Sequence, residues 1–95
     1  MAKHKFRITV ESVADAHGNP VNVAPLSFIA ENHDDIIALA ARTGASDDRA
    51  LAFLVGLKLF GETMLEDRAN PLYAEIQPAF GAFMKKLKAS RRQAE

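Results

Sequence analysis

The chain has 95 residues, shorter than a typical domain, and a chain of this size hides roughly 60 to 70% of the surface its unfolded form exposes, so one domain over residues 1–95 with one core is expected. Hydrophobic residues at 48%, charged residues at 25% and a net charge of zero describe an ordinary globular chain and exclude a disordered or collagenous one. Cysteine is absent, which excludes a disulfide scaffold, a thiolate metal site and a cysteine nucleophile.

The opening Met1-Ala2-Lys3-His4-Lys5 is basic, but alternating polar residues follow it where a signal peptide has an apolar run, so a cytoplasmic location is expected. From Lys5 to Glu11 the sequence alternates, with Phe6, Ile8 and Val10 on one side and Lys5, Arg7, Thr9 and Glu11 on the other. That is the period of a half-buried strand. The segment Asp15 to Pro20 is dense in turn formers, and after Pro25 a second alternation sets Leu26, Phe28 and Ala30 against Ser27, Ile29 and Glu31. An antiparallel hairpin with a long polar loop is expected.

Asn32-His33-Asp34-Asp35 reads as a helix start, with Asn32 as the N-cap and the acids in the first turn opposing the positive end of the macrodipole. This first helix should run to about Arg42, stop at Gly44 and face inward through Ile36, Leu39 and Ala40. Ser46 then reads as the cap of a long helix persisting to about Ala69. Projected at about 100° per residue, Phe53, Leu57, Phe60 and Met64 form its expected core stripe, flanked by Ala50, Leu54 and Gly61. Lys58, Glu62 and Glu66 fall on the far side together with Leu51, Val55 and Leu59, so the first half of the helix is apolar nearly all round.

Asn70-Pro71 restarts a short helix through Ile76. Pro78 should push Gln77 out of helical geometry and begin a last helix, a kinked continuous helix being the alternative; its inner stripe is Phe80, Phe83, Met84 and Leu87 and its outer side carries Lys85, Lys86 and Lys88. Residues 1–4 and 90–95 are expected to fray. The fold class is therefore α+β: a two-stranded antiparallel hairpin followed by three to four helices packed on one face.

Taken in order, Phe6-Arg7-Ile8-Thr9-Val10, Glu31-Asn32-His33-Asp34-Asp35, Val55-Gly56-Leu57-Lys58-Leu59-Phe60-Gly61-Glu62, Met64-Leu65-Glu66, Asn70-Pro71-Leu72 and Phe83-Met84-Lys85-Lys86-Leu87-Lys88 span essentially the whole chain. Together they resemble a family of small bacterial proteins known as domain of unknown function 3861. The resemblance implies a bacterial, single-domain α+β protein and brings no activity, cofactor or ligand.

Chemistry has few places to reside in this sequence. His33, Asp34 and Asp35 are ligand types for zinc or manganese, yet neighbours on a helix point about 100° apart, and capping explains all three. Glu62 and Glu66 share a helix face without the Glu-x-x-His partners of a bridged site, and Lys58 one turn before Glu62 reads as a surface ion pair. His33, Asp34, Asp35, Lys58 and Glu62 are the one candidate polar site. No serine sits in a Gly-x-Ser-x-Gly elbow and no glycine motif suits a phosphate, so no enzyme activity, cofactor or bound metal is expected.

Charge is unevenly distributed: Lys3, Lys5 and Arg7 at one end and Lys85, Lys86, Lys88, Arg91 and Arg92 at the other flank an acidic middle. Five cations from Lys85 to Arg92 suit a weak phosphate contact, but without outward aromatics to stack bases nucleic acid is the lesser reading. No stretch reaches the roughly 20 apolar residues of a membrane span, and no membrane partner is expected. The favoured reading is a non-enzymatic binding or protein-interaction module, with a weak nucleic-acid binder and a small-ligand or metal-binding protein using the acidic helix starts as the alternatives. A homodimer is expected, because a lone hairpin leaves two strand edges open and the long helix has surplus apolar surface; two hairpins could join into a four-stranded sheet, or the central helices could pack through a seam of Leu51, Ala52, Val55, Gly56 and Leu59, the helix-mediated contact being the favoured geometry.

Overall fold

The computed structural model describes the backbone of residues 2–94 and the side chains of residues 2–90; Met1, Glu95 and the side chains of residues 91–94, Arg91 and Arg92 among them, lie outside the described residues. The element order is β1 (His4–Val10), β2 (Leu26–Asn32), α1 (Ile36–Thr43), α2 (Asp48–Glu66), α3 (Pro71–Ala74) and α4 (Gln77–Ala94). This is the α+β hairpin-then-helices order read from the sequence. Contacts divide the chain within α2 into two units, Met1–Glu62 and Thr63–Glu95.

In the first unit β1 and β2 pair antiparallel, with His4 opposite Asn32, Phe6 opposite Ala30, Ile8 opposite Phe28 and Val10 opposite Leu26. Those pairs share the apolar face, because directly opposed residues project to the same side. The other face pairs Lys5 with Glu31, Arg7 with Ile29 and Thr9 with Ser27. Within the connecting loop, Asp15 Oδ1 accepts from the His17 and Asn19 amides at 2.9 Å each, and Gly18 takes the positive φ of 84° that the turn requires.

The first helix starts later than its expected cap. Asp35, not Asn32, is the N-cap of α1, its side chain accepting from the Ala38 amide at 3.3 Å. The Asn32 amide is already committed elsewhere, as described below. At the other end Gly44 closes α1 in the left-handed region with φ of 76°, as its sequence position predicts. Ile36 and Leu39 are buried and Ala40 is half-buried, so the inner face of α1 matches its periodicity.

Two boundaries of α2 differ from expectation. Asp47 rather than Ser46 caps it, through Oδ1 accepting from the Ala50 amide at 2.8 Å, and the helix ends at Glu66, three residues before Ala69. Its rotation differs as well. Of the expected core stripe Met64 is buried and Leu57 half-buried, but Phe53 and Phe60 are 44% and 40% exposed, whereas Leu54 is 1% exposed and Glu62 is buried.

In the second unit Met64 is buried, and Asn70 caps α3 by accepting from the Leu72 amide at 2.9 Å, with Pro71 at the first helical position. Gln77 is helical, contrary to expectation, because Pro78 falls in the first turn of α4, where a missing N–H costs nothing. The Phe80 amide then donates to the Ile76 carbonyl at 2.8 Å. Phe80, Met84 and Leu87 are half-buried, Phe83 is more exposed, and Lys85, Lys86 and Lys88 face water.

Candidate functional site

The joint between hairpin and helix in the first unit is polar. Because His4 pairs with Asn32, the residues just beyond the strands, Lys3 and His33, leave the sheet at the same end. On α2, Leu54, Lys58 and Glu62 stand one turn apart and therefore form one row along the helix. Leu54 is buried, Lys58 is half-buried and Glu62 is only 6% exposed. This row meets the base of the hairpin.

Asn32, 2% exposed, donates from Nδ2 to the Lys58 carbonyl at 3.0 Å and accepts at Oδ1 from the Asp34 amide at 3.0 Å. Both ends of its side chain are thus engaged, which removes it from capping. The Lys58 ammonium returns to Asp34 Oδ2 at 2.6 Å. Glu62 is surrounded more completely: the His33 amide donates to Oε1 at 3.2 Å, His33 Nδ1 lies 2.9 Å from each carboxylate oxygen, and Lys3 Nζ lies 3.0 Å from Oε2.

The electrostatics follow from these contacts. Burial pushes the Glu62 carboxyl up, but hydrogen bonds from the His33 ring, the Lys3 ammonium and the His33 amide outweigh it and bring it down to about 2. The hydrogen bond from Lys58 holds the Asp34 carboxyl below its ordinary value, against a smaller desolvation effect. Glu62 is accordingly an anion at neutral pH and accepts only, so Nδ1 of His33 carries the shared proton as donor. Nε2 is the ring nitrogen that Glu62 leaves unengaged.

A carboxylate holding an imidazole is the base-and-orienter half of a nucleophilic relay. Among the described residues no hydroxyl hydrogen-bonds to the His33 ring. An ion fixed at about 2 also makes a poor proton donor at neutral pH. What the arrangement does plainly is clamp: it ties the middle of α2 to the end of β2 by three separate linkages.

Of the polar residues singled out from sequence, His33, Asp34, Lys58 and Glu62 come together, while Asp35 turns to the Ala38 amide instead. Lys58 and Glu62 do not pair with each other on a solvated face, as their spacing suggested; each reaches across to the hairpin. Lys3 and Asn32 are members that sequence reasoning missed. The strand register held the signal, since aligning the two alternations places Lys3 beside His33. The seam residues fall on two sides of α2: Leu51, Val55 and Leu59 are half-buried, and Ala52 and Gly56 are exposed. Among the described residues no group of three or more His, Asp or Glu is placed to hold a metal ion, and no helix is long and apolar enough to cross a membrane.

Comparison with known proteins agrees with this whole-length architecture. Residues 4–89 match the family described as a domain of unknown function with solved structure, DUF3861. A crystallised protein of unknown function from Pectobacterium atrosepticum is 38% identical and superposes with a TM-score of 0.76, over 93% of this chain and 99% of that one. No curated protein matches.

Proposed function

The chain belongs to the DUF3861 family, and we propose that it is a non-enzymatic interaction module of the bacterial cytoplasm that acts as a homodimer. The observation that carries this reading is the hairpin. Its apolar face leaves Val10, Leu26 and Phe28 at 56%, 64% and 43% exposure, on a two-stranded sheet whose outer edges pair with no other strand of the described residues. A sheet of two strands is marginal in water, and exposed edges invite another chain. The polar clamp supports the reading from the other direction: its ionised carboxylate and engaged lysines serve to hold α2 on the hairpin rather than to turn over a substrate.

Light scattering on a size-exclusion column at micromolar concentration is expected to give twice the 10.4 kDa chain mass. A mass near 10.4 kDa would rule out the homodimer. A second reading is favoured by one observation, the exposure of Lys85, Lys86 and Lys88 along α4. If these bind phosphates, retardation of DNA or RNA in a gel should appear at low salt and fade steeply by about 0.2 M. Retention that persists at that salt would instead make nucleic acid the primary partner.

A further inference from the structure

Resting on the self-association just proposed, we propose that the second copy docks on the free edge of β2, antiparallel, with Ile29 opposite Ile29 of the copy, giving a four-stranded sheet in the order β1-β2-β2-β1. Charge selects this edge over the other. The polar face of β1 carries Lys5 and Arg7, with Lys3 just beyond the strand. Two β1 edges brought together about Arg7 would place one Arg7 directly opposite the other, their Cβ atoms about 5 Å apart, and like charges directly opposed are destabilising. The same face of β2 carries Ser27, Ile29 and Glu31, and Glu31 is already opposite Lys5.

Centred on Ile29, the stretch from Ser27 to Glu31 pairs residue by residue with the copy, and Glu31 meets Ser27 of the copy rather than another acid. Arg7 of each copy then lies at the far edge of the sheet, three strand spacings or about 14 Å apart, beyond a physiological Debye length. Ile29 is the apolar exception on a polar face and is 54% exposed. In this register it is covered by its own copy. On the opposite face Phe28 falls beside Ala30 of the copy, large against small, so the apolar strip of one hairpin continues into the other. A register shifted by one residue would set that strip against the polar face.

Because the chain contains no cysteine, single substitutions give a clean test. Ile29→Cys in the full chain, oxidised at micromolar concentration, should run largely as a disulfide dimer on a non-reducing gel, since residues opposed across an antiparallel pair lie within disulfide reach. Arg7→Cys, on the same face but the other edge, should stay monomeric. Ile29→Lys, folded by circular dichroism, should shift the light-scattering mass toward the monomer. Cross-linking of Arg7→Cys in preference to Ile29→Cys overturns the β2 edge. So does a parent dimer in which neither cysteine cross-links and Ile29→Lys leaves the mass unchanged, a result that keeps the dimer and moves it to another surface. A monomeric parent removes both proposals.

Discussion

Glu62→Gln is expected to lose about 3 kcal/mol of folding stability at pH 7 and almost none at pH 2, measured by urea melts of parent and variant across that range. The Glu62 carboxyl moves from an ordinary 4.5 to about 2 on folding, and each unit corresponds to about 1.4 kcal/mol of preference for the charged form. Because the folded value lies below the unfolded one, the unfolded chain holds a proton in this window that the folded chain has released. The stabilisation is therefore complete above about pH 5, falls as the pH drops from 4.5 toward 2, and vanishes below it. Glutamine keeps the shape and removes the titration. It also leaves the Lys3 ammonium facing a neutral group, although with 23% of its side chain exposed that cation can recover some hydration. The parent should lose stability with acid more steeply than the variant, and the two curves should meet near pH 2. Parallel curves would show that Glu62 is not the buried anion described.

The same cluster explains how far sequence reading reached. The hairpin, the N-cap of α3 and α4's lysine side were legible because alternation, Asn-Pro and terminal cations each report a local cause. Ile36 and Leu39 were legible for the same reason: α1 is apolar on one side only. On α2 that signal fails, since Leu51, Val55 and Leu59 oppose Phe53, Leu57 and Phe60 and hydrophobicity alone cannot choose a side. The buried row through Leu54, Lys58 and Glu62 is one residue, about 100°, away from the stripe chosen by apolar content. Polar pairing sets the rotation, and its partners are 24 to 59 residues away in sequence. Local pattern carries no trace of contacts at that range. Four of the residues singled out by type nevertheless stand together in the structure, a histidine and an acid at the end of β2 and a Lys-x-x-x-Glu pair on α2 being scarce groups in an apolar setting.

Leu54→Ala should destabilise the protein by about 3 kcal/mol, and Phe53→Ala, one position away and larger in volume, by about 1 kcal/mol. Leu54 is the one side chain among the described residues that is both large and fully covered, at 1% exposure, and it continues the row whose other members are Lys58 and Glu62. Cutting it to alanine removes apolar surface that folding had hidden and leaves a cavity beside the clamp, which rigid polar linkages hinder from collapsing. Phe53 at 44% exposure already stands half in water, so truncation forfeits less transfer energy and opens no closed void. The ordering is the decisive quantity, because volume alone ranks the two substitutions the other way. Chemical denaturation at neutral pH reads it directly, provided the slope with denaturant is unchanged between variants. A Phe53→Ala loss equal to or above that of Leu54→Ala would return the core to the stripe of Phe53, Leu57, Phe60 and Met64, and with it would fall the assignment of the Leu54, Lys58 and Glu62 row as the face that α2 turns to the hairpin.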